Sequence, residues 1–391
     1  MRSAPRGLAP LLAGLAVIGP FSIDTYLPAF PAIGQALGAS PVEVQQTLTA
    51  YLVPFAFMML WHGALADALG RRRVLLWAYA LYALASVFCV FATSIEMLWF
   101  GRALQGLSAG AGMVVGRAIV RDVLDGAAAQ RLMAHIGMMF AIGPAVAPVL
   151  GGWIHAFFDW HAIFMFLALY GGVLWFALYR YLPETLPPGS RQSLRVRPLA
   201  AAYREVFTHR GFLMLAAALA FNFNGFFIYV LSAPAFLIGQ LGVSPQGFLW
   251  LFGPAMIGMI VGNFLSSRLA GHLSSGRTIA LGYLIMMVAA GANIVLNLLA
   301  APGLPWSVLP IACYVIGMSL AMTSLSLRVL DYFPQRRGLV SSCQGVAQTG
   351  VNALTASLLA PLAWGSTLTL AVAMAVFMLL GLAAFAARLR G

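Results

Sequence analysis

The sequence has very little charge, and its basic residues include no lysine. Charged residues make up 8% of the 391 residues and hydrophobic residues 62%, whereas soluble domains are about 25% charged and about 45–50% apolar. So few charges cannot cover a water-facing surface, which excludes a soluble globular fold. The net charge of +12 comes from arginines that lie between apolar blocks. They form no single basic face, which excludes a nucleic-acid-binding surface.

Cysteine and clustered polar chemistry are also scarce. Cys89, Cys313 and Cys343 lie inside apolar blocks without metal or disulfide spacing, so we expect buried, unreactive thiols. The six histidines are scattered, and we assign no metal ligand, catalytic residue or cofactor. No glycine-rich phosphate-binding motif with its lysine is present. A membrane enzyme would need clustered catalytic groups, so we expect a protein that is not an enzyme. A passive channel is a further alternative, and it would show equilibrative flux only.

Long apolar blocks fill most of the chain. Each is near the ~20 residues that a helix needs to cross a bilayer, and a backbone in lipid must satisfy its own hydrogen bonds. The first block shows no small-residue cleavage site, so we expect it to be retained as a helix. The sequence therefore predicts an all-α polytopic membrane protein with twelve transmembrane helices. The predicted spans are 8–31, 44–66, 74–93, 97–120, 131–156, 161–182, 211–238, 246–269, 277–300, 305–330, 338–361 and 366–388.

Among the predicted loops, arginines occur only in every second one. The loops on one side, such as 31–43, 94–97 and 157–160, contain none. Because cytoplasmic loops carry the excess of Arg, this pattern predicts a bacterial inner (cytoplasmic) membrane protein with both termini in the cytoplasm. The arginines assigned to the cytoplasmic side are Arg2, Arg6, Arg71, Arg72, Arg73, Arg121, Arg131, Arg180, Arg191, Arg195, Arg197, Arg204, Arg210, Arg268, Arg277, Arg336, Arg337, Arg388 and Arg390.

The longest loop lies near the middle of the chain. It is rich in proline and arginine, and it separates two halves with six predicted helices each. Equal halves indicate an internal repeat, which is common among secondary transporters. We therefore predict an N-terminal six-helix bundle at 1–182, a cytoplasmic linker at 183–210 and a C-terminal six-helix bundle at 211–391.

Two charged residues, Asp24 and Arg102, lie well within predicted spans. Such residues cost at least about 2.5–3.5 kcal/mol on insertion and are functional candidates by default. A low dielectric favours the neutral form of a carboxylate, so Asp24 suits the uptake and release of a proton. Arg102 keeps its charge and can influence Asp24 or anchor an anionic or polar substrate group. A structural ion pair between the first and fourth helices is the alternative.

Uncharged polar residues also lie within the spans. Tyr26 is close to Asp24 and suits either a cavity or the membrane interface. Gln344, Gln348 and Asn352 share one helix face, which favours a cavity or a helix contact over lipid. Hydrogen bonding between helices is the alternative throughout. The predicted substrate cavity is formed by Asp24, Tyr26, Gln105, Asn222, Gln344 and Gln348.

Four segments resemble motifs of the major facilitator superfamily. Residues 63–73 resemble its pattern G-x-L-A-D-r-x-G-r-r, except that Ala68 stands where a basic residue is usual. Residues 102–110 resemble its R-x-x-q-G motif, and 143–152 are similar to its antiporter motif. The run at 19–31, GPFSIDTYLPAFP, resembles the bicyclomycin/chloramphenicol resistance (Bcr/CflA) group of drug:proton antiporters.

This resemblance implies two six-helix bundles that rock about a central cavity. It further implies export of small amphipathic drugs, driven by the proton gradient. Export of a specific metabolite, such as an amino acid or a sugar, is the alternative. We expect a monomer in the lipid bilayer that binds a small molecule and no nucleic acid.

The resemblance also implies roles for individual residues. Asp24 and Arg102 would couple transport to protons, and Arg71 would pair with Asp122 at an inner gate. The residues of this implied gate are Gly63, Asp67, Gly70, Arg71 and Asp122. Those of the implied antiporter motif are Gly143, Pro144, Pro148, Gly151 and Gly152.

Overall fold

The computed structural model describes residues 7–124, 126–186, 189, 191 and 196–389. Of the arginines used to predict orientation, Arg2, Arg6, Arg195 and Arg390 lie outside the described residues. The predicted all-α class is confirmed, since the named elements are all helical. The helices are α1 (Leu8–Asp24), α2 (Phe30–Leu37), α3 (Pro41–Leu69), α4 (Arg71–Val90), α5 (Ile95–Ala109), α6 (Ala111–Val123), α7 (Gly126–Phe157), α8 (His161–Tyr181), α9 (Val196–Thr208), α10 (Arg210–Leu231), α11 (Leu249–Leu269), α12 (Ser275–Leu299), α13 (Leu309–Asp331), α14 (Arg337–Leu354), α15 (Ala360–Ala363) and α16 (Thr367–Leu389).

Eleven segments of the described chain are long and apolar enough to cross a membrane. The predicted span 338–361 is not among them. It corresponds to α14, a π-helical turn at Thr355–Leu359 and α15, which follow one another without a break. The polar stripe of α14 lowers the mean hydropathy of this segment, which is long enough to cross a membrane. With this segment included, the helices are consistent with twelve transmembrane helices.

Several of the predicted spans, among them the first and the fourth, are interrupted helices. The first consists of α1, a 3₁₀ turn at Leu27–Ala29 and α2. The fourth is divided at Gly110 into α5 and α6. Just before this division, the Ser108 hydroxyl donates to the carbonyl oxygens of Leu104 and Gln105. Such side-chain bonds compete with the helical ladder and bend helices.

The chain divides into two compact units, with the boundary between Val196 and Arg197. In unit 1, α1 packs on α7, α3 on α5 and α4 on α8. In unit 2, α10 packs on α16, while α13 packs on both α11 and α12. The helix α9 lies within the predicted linker 183–210, so part of that segment is helical. The domain limits drawn from the sequence stay predictions.

Glycines allow the closest helix contacts in unit 1. A Cβ atom on Gly106 would overlap the backbone carbonyl of Tyr51, and one on Gly112 would reach the carbonyl oxygen of Leu15 at 2.6 Å. Thus α5 lies against α3, and α6 lies against α1, at backbone distance. Without a hydrophobic driving force between helices in lipid, such close packing is a main source of their association.

The prediction of three buried cysteines is wrong for one of them. Cys89 and Cys343 are buried, whereas Cys313 on α13 is exposed. An apolar block in a membrane helix does not imply burial, because apolar side chains also face lipid. The thiol of Cys313 lies on such an outward face.

We predict that Gly106→Ala lowers the melting temperature of the purified protein. The added methyl group would force α3 and α5 apart, and overpacking of this kind typically costs about 1–3 kcal/mol. Gly172→Ala on α8 is the matched control, since a Cβ there meets nothing within 4 Å. Thermal unfolding in detergent, followed by tryptophan fluorescence, gives both values, and equal melting temperatures would contradict the packing argument.

Candidate functional site

Asp24 is the last residue of α1 and is buried inside unit 1. Its side chain is only 3% exposed, and its Oδ1 atom has no hydrogen-bond partner in the described part of the chain. A buried carboxylate oxygen without a donor is costly, so buried polar atoms of this kind invite a functional explanation. Asp24 is therefore placed to accept a proton or a ligand donor.

The segment 143–152 of α7, which resembles the antiporter motif, packs on both sides of Asp24. A Cβ on Gly143 would lie 3.0 Å from the Cβ of Pro20, and one on Gly151 would overlap the carbonyl of Thr25. Gly152 and Pro148 are buried nearby in the same helix, and Pro144 is half-buried. The small residues of α7 thus fix the segment that carries Asp24.

The guanidinium of Arg102 is held by aromatic faces instead of a carboxylate. Arg102 is fully buried, and its Cζ lies 4.5 Å from the ring centroids of both Tyr26 and Tyr51. Its Nη1 donates to Oε1 of Gln105 at 2.6 Å. Within residues 7–124, which contain both groups, no ion pair joins Arg102 to Asp24. The structure therefore does not show the simple ion pair that was the alternative to a functional role.

A polar network extends from Arg102 across four helices. Gln105 on α5 donates to Oγ of Ser86 on α4 at 2.7 Å, and Ser86 donates to the Tyr82 carbonyl at 2.7 Å. The Tyr82 hydroxyl lies 2.6 Å from Oγ of Ser22 on α1. Tyr26 extends the linkage to α3, because its hydroxyl lies 2.8 Å from Oγ1 of Thr47. These bonds hold the predicted site residues Arg102, Gln105 and Tyr26 in one connected set.

Two of the predicted cavity residues of unit 2, Asn222 and Gln344, take part in hydrogen bonds between helices. Asn222 on α10 donates to the Tyr283 hydroxyl at 2.9 Å. Gln344 on α14 exchanges hydrogen bonds with Ser326 on α13 at 2.9 and 3.2 Å. Gln348 is half-buried. Such bonds position the side chains, and the contact of Asn222, Gln344 and Gln348 with a substrate stays a prediction.

A second interhelical bond in unit 2 uses the polar stripe of α14. Nδ2 of Asn224 donates to Oδ1 of Asn352 at 2.8 Å, which ties α10 to α14. The Oδ1 atom of Asn224 is itself buried and has no partner in the described chain.

Four of the five predicted inner-gate residues meet where α3 ends and α4 begins. Nε of Arg71 donates to Oδ2 of Asp122 at 3.0 Å, and Nη1 lies 2.5 Å from Oδ1 of Asp67. Gly70 joins the two helices with φ +103°, which a residue with a Cβ rarely adopts. A Cβ on Gly63 would make only ordinary contact with Val114 at 3.6 Å. Sequence reasoning thus placed Asp67, Gly70, Arg71 and Asp122 in one cluster, and the structure brings them together.

Several residues of the site escaped sequence reasoning. Tyr51 is an aromatic residue in an apolar block, where packing is the ordinary explanation, and Ser22, Tyr82 and Ser86 are equally inconspicuous. Glu184 follows α8 and lies 113 residues from Arg71, with which it bonds. The sequence signal nearest to Tyr51 is Gly106 of the R-x-x-q-G motif, because this glycine packs against the Tyr51 backbone.

Comparisons with known proteins extend over most of the chain. Residues 12–356 match the profile described as Major Facilitator Superfamily. The uncharacterized MFS-type transporter YdgK of Bacillus subtilis is 34% identical, over 95% of this chain and 91% of the relative. The multidrug resistance protein MdtL of Escherichia fergusonii is 30% identical, over 94% and 92%. The bicyclomycin resistance protein homolog of Haemophilus influenzae is 29% identical, over 88% and 87%.

Solved structures share the fold. A D-xylose–proton symporter superposes with a TM-score of 0.77 at 14% identity, covering 96% of each chain. The nucleoside transporter NupG gives 0.74 at 12% identity, covering 98% of this chain and 99% of that one. Identities this low show the fold alone, and they confirm the predicted fold class.

We predict that Tyr51→Leu destabilises the protein, whereas Tyr51→Phe leaves its melting temperature nearly unchanged. A phenylalanine retains an aromatic face for Arg102, and a leucine removes it. A buried cation–π contact is worth about 2 kcal/mol. Thermal unfolding of both variants tests this, and equal loss in both would show that the hydroxyl of Tyr51 matters and the ring face does not.

Proposed function

The chain belongs to the major facilitator superfamily, and from that membership we propose that it exports small amphipathic drugs in exchange for protons by alternating access. The names of its relatives, a bicyclomycin resistance protein homolog and multidrug resistance proteins, support drug export. They also confirm the resemblance to the Bcr/CflA group that the motifs indicated. We propose that the protein resides in a bacterial inner membrane with both termini in the cytoplasm. We further propose that it acts as a monomer.

The observation that carries the proposal is the buried, unpaired carboxylate of Asp24. A proton taken up from outside neutralises Asp24, and its release to the cytoplasm restores the charge. A buried site favours the neutral form, and a nearby opposite charge favours the ionised form. Because drug binds preferentially to one protonation state, each inward proton is exchanged for an outward drug molecule. The proton gradient thus supplies the energy.

Arg102 is proposed to tune this exchange. Its charge is permanent and is held by Tyr26, Tyr51 and Gln105 near the end of α1. Since no carboxylate neutralises it directly within the described residues, its field acts on whatever acidic or polar group enters the site. A shift of the Tyr26 ring on protonation of Asp24, two residues away, would be transmitted to the guanidinium that it contacts.

The cluster of Asp67, Arg71 and Asp122 is proposed as the inner gate. Arg71 is 7% exposed and contacts both carboxylates, so the cluster joins the ends of α3 and α6 to the start of α4. Ala68 leaves the cluster without the basic residue that is usual there. We therefore expect a gate that depends on Arg71 more than a gate with two cations would.

We predict that Asp24→Asn abolishes drug tolerance conferred by the protein. Asparagine has nearly the same shape but cannot carry the proton. The test is growth inhibition by a chemically varied drug panel, in a host that lacks its main efflux pumps. The control is Asp159→Asn, because Asp159 is an exposed carboxylate that bonds His161 at 2.8 Å and plays no part in the proposed coupling.

The possible results separate the alternatives. Tolerance to several drugs that is lost in Asp24→Asn and kept in Asp159→Asn supports proton-coupled drug export. No tolerance to any drug, with normal membrane insertion, favours export of a specific metabolite. Tolerance retained by Asp24→Asn means that another group couples the proton. Equilibrative flux in proteoliposomes, without accumulation against a gradient, indicates a channel.

A further inference from the structure

The segment that follows α8 binds the start of α4 through one carboxylate. Oε1 of Glu184 accepts the backbone N–H of Arg71 at 2.9 Å. The same oxygen accepts the backbone N–H groups of Thr185 and Leu186, both at 3.1 Å. One oxygen therefore gathers three amide donors from two distant parts of unit 1. We name Glu184, Thr185 and Leu186 the strap.

The strap supplies a cap that the sequence next to α4 lacks. The first N–H groups of a helix have no intrahelical partner, and Gly70, which precedes α4, has no side chain to cap them. A Cβ on Gly70 would overlap the Glu184 carboxylate. The glycine thus both turns the chain at φ +103° and leaves room for a negative group at the positive end of a helix.

The strap also contacts the proposed gate directly. Oγ1 of Thr185 donates to Oδ2 of Asp122 at 3.2 Å. The same Asp122 oxygen accepts Nε of Arg71 at 3.0 Å. Arg71 is consequently held at its backbone by Glu184 and at its side chain by a carboxylate that Thr185 also binds.

We propose that Glu184 is a positioning residue for the inner gate, which sets the backbone of Arg71 so that its guanidinium meets Asp122 each time the gate closes. This inference rests on the proposed function, because it assigns a role within the gate. Glu184 acts at the α3–α4 junction, and Asp24, the proposed coupling site, lies elsewhere in unit 1. Its loss therefore slows the transport cycle and leaves the apparent affinity for substrate unchanged.

The first test reads the hydrogen bonds without any substrate. Hydrogen exchange of the purified protein, followed by mass spectrometry, compares the wild type with Glu184→Met, which has similar length and no acceptor. We expect exchange to rise about fivefold at Arg71, Thr185 and Leu186, the change that loss of one helix cap would give. The Ser40–Glu43 capping box of α3 is the internal control and stays unchanged.

The second test measures proton-driven transport in proteoliposomes with a drug found in the growth panel. We expect Glu184→Met to lower the maximal rate about fivefold at constant KM, consistent with the loss of one cap. Glu184→Gln keeps a carbonyl acceptor and retains most of the rate. Glu205→Gln is the control for loss of an exposed carboxylate, since Glu205 pairs only on the surface with Arg336 at 2.7 Å.

The outcomes distinguish the two proposals. Faster exchange at the strap with an unchanged maximal rate overturns the positioning role and leaves antiport intact. Equal loss in Glu184→Gln and Glu184→Met also overturns it, because charge and not backbone capping would then be responsible. Thr185→Val gives a second test if Glu184 variants fold poorly, and a normal maximal rate in that variant counts against the strap. Absence of transport by the wild type, with protected strap amides, refutes the proposed function and not the strap bonds.

Discussion

The buried charge of Arg102 constrains much of unit 1. A guanidinium removed from water needs compensation, and here it comes from two aromatic faces and an amide oxygen in place of a carboxylate. Tyr26 and Tyr51 can both reach it only if the end of α1 and the middle of α3 lie close to α5. The glycine at position 106 makes that approach possible, since it lets α5 touch the Tyr51 backbone. The burial of the Arg102 charge thus depends on the close packing of α1, α3 and α5.

The burial of Asp24 depends on the same helix packing. It lies where α1 ends, between the positions at which Gly143 and Gly151 of α7 contact Pro20 and Thr25. Arg102 does not neutralise this carboxylate, because its Nη1 donates to Gln105 and its guanidinium lies over the rings of Tyr26 and Tyr51. The carboxylate is therefore buried and unpaired, which is the state that suits reversible protonation. The glycines of α7 contribute through their close contacts with this segment.

At the junction of α3 and α4, backbone contacts likewise determine where a charged side chain lies. Arg71 is buried, and the cluster around it is held by backbone hydrogen bonds as well as by ion pairs. Gly70 permits the turn, Glu184 caps the following helix, and Thr185 binds the carboxylate that Arg71 also binds. The geometry of this cluster therefore depends on backbone hydrogen bonds as well as on charge.

The sequence by itself determined the class of the protein, because hydrophobic block length and alternating arginine loops follow from the bilayer and not from packing. It also singled out Asp24 and Arg102 as candidates, since a charge within an apolar span stands out. The resemblance, and not local spacing, grouped Arg71 with Asp122, which is 51 residues away. Only the tertiary structure decided what these groups contact. Tyr51 and Glu184 carry no mark in the sequence, because an aromatic residue in a span and a carboxylate in a loop are ordinary there. Likewise Cys313 faces outward, since an apolar block does not record which side of its helix meets the bundle. The contacts of Tyr51 and Glu184 and the exposure of Cys313 depend on residues that are far apart in the chain. Those residues come together only when the helices pack, so composition and spacing do not predict these contacts.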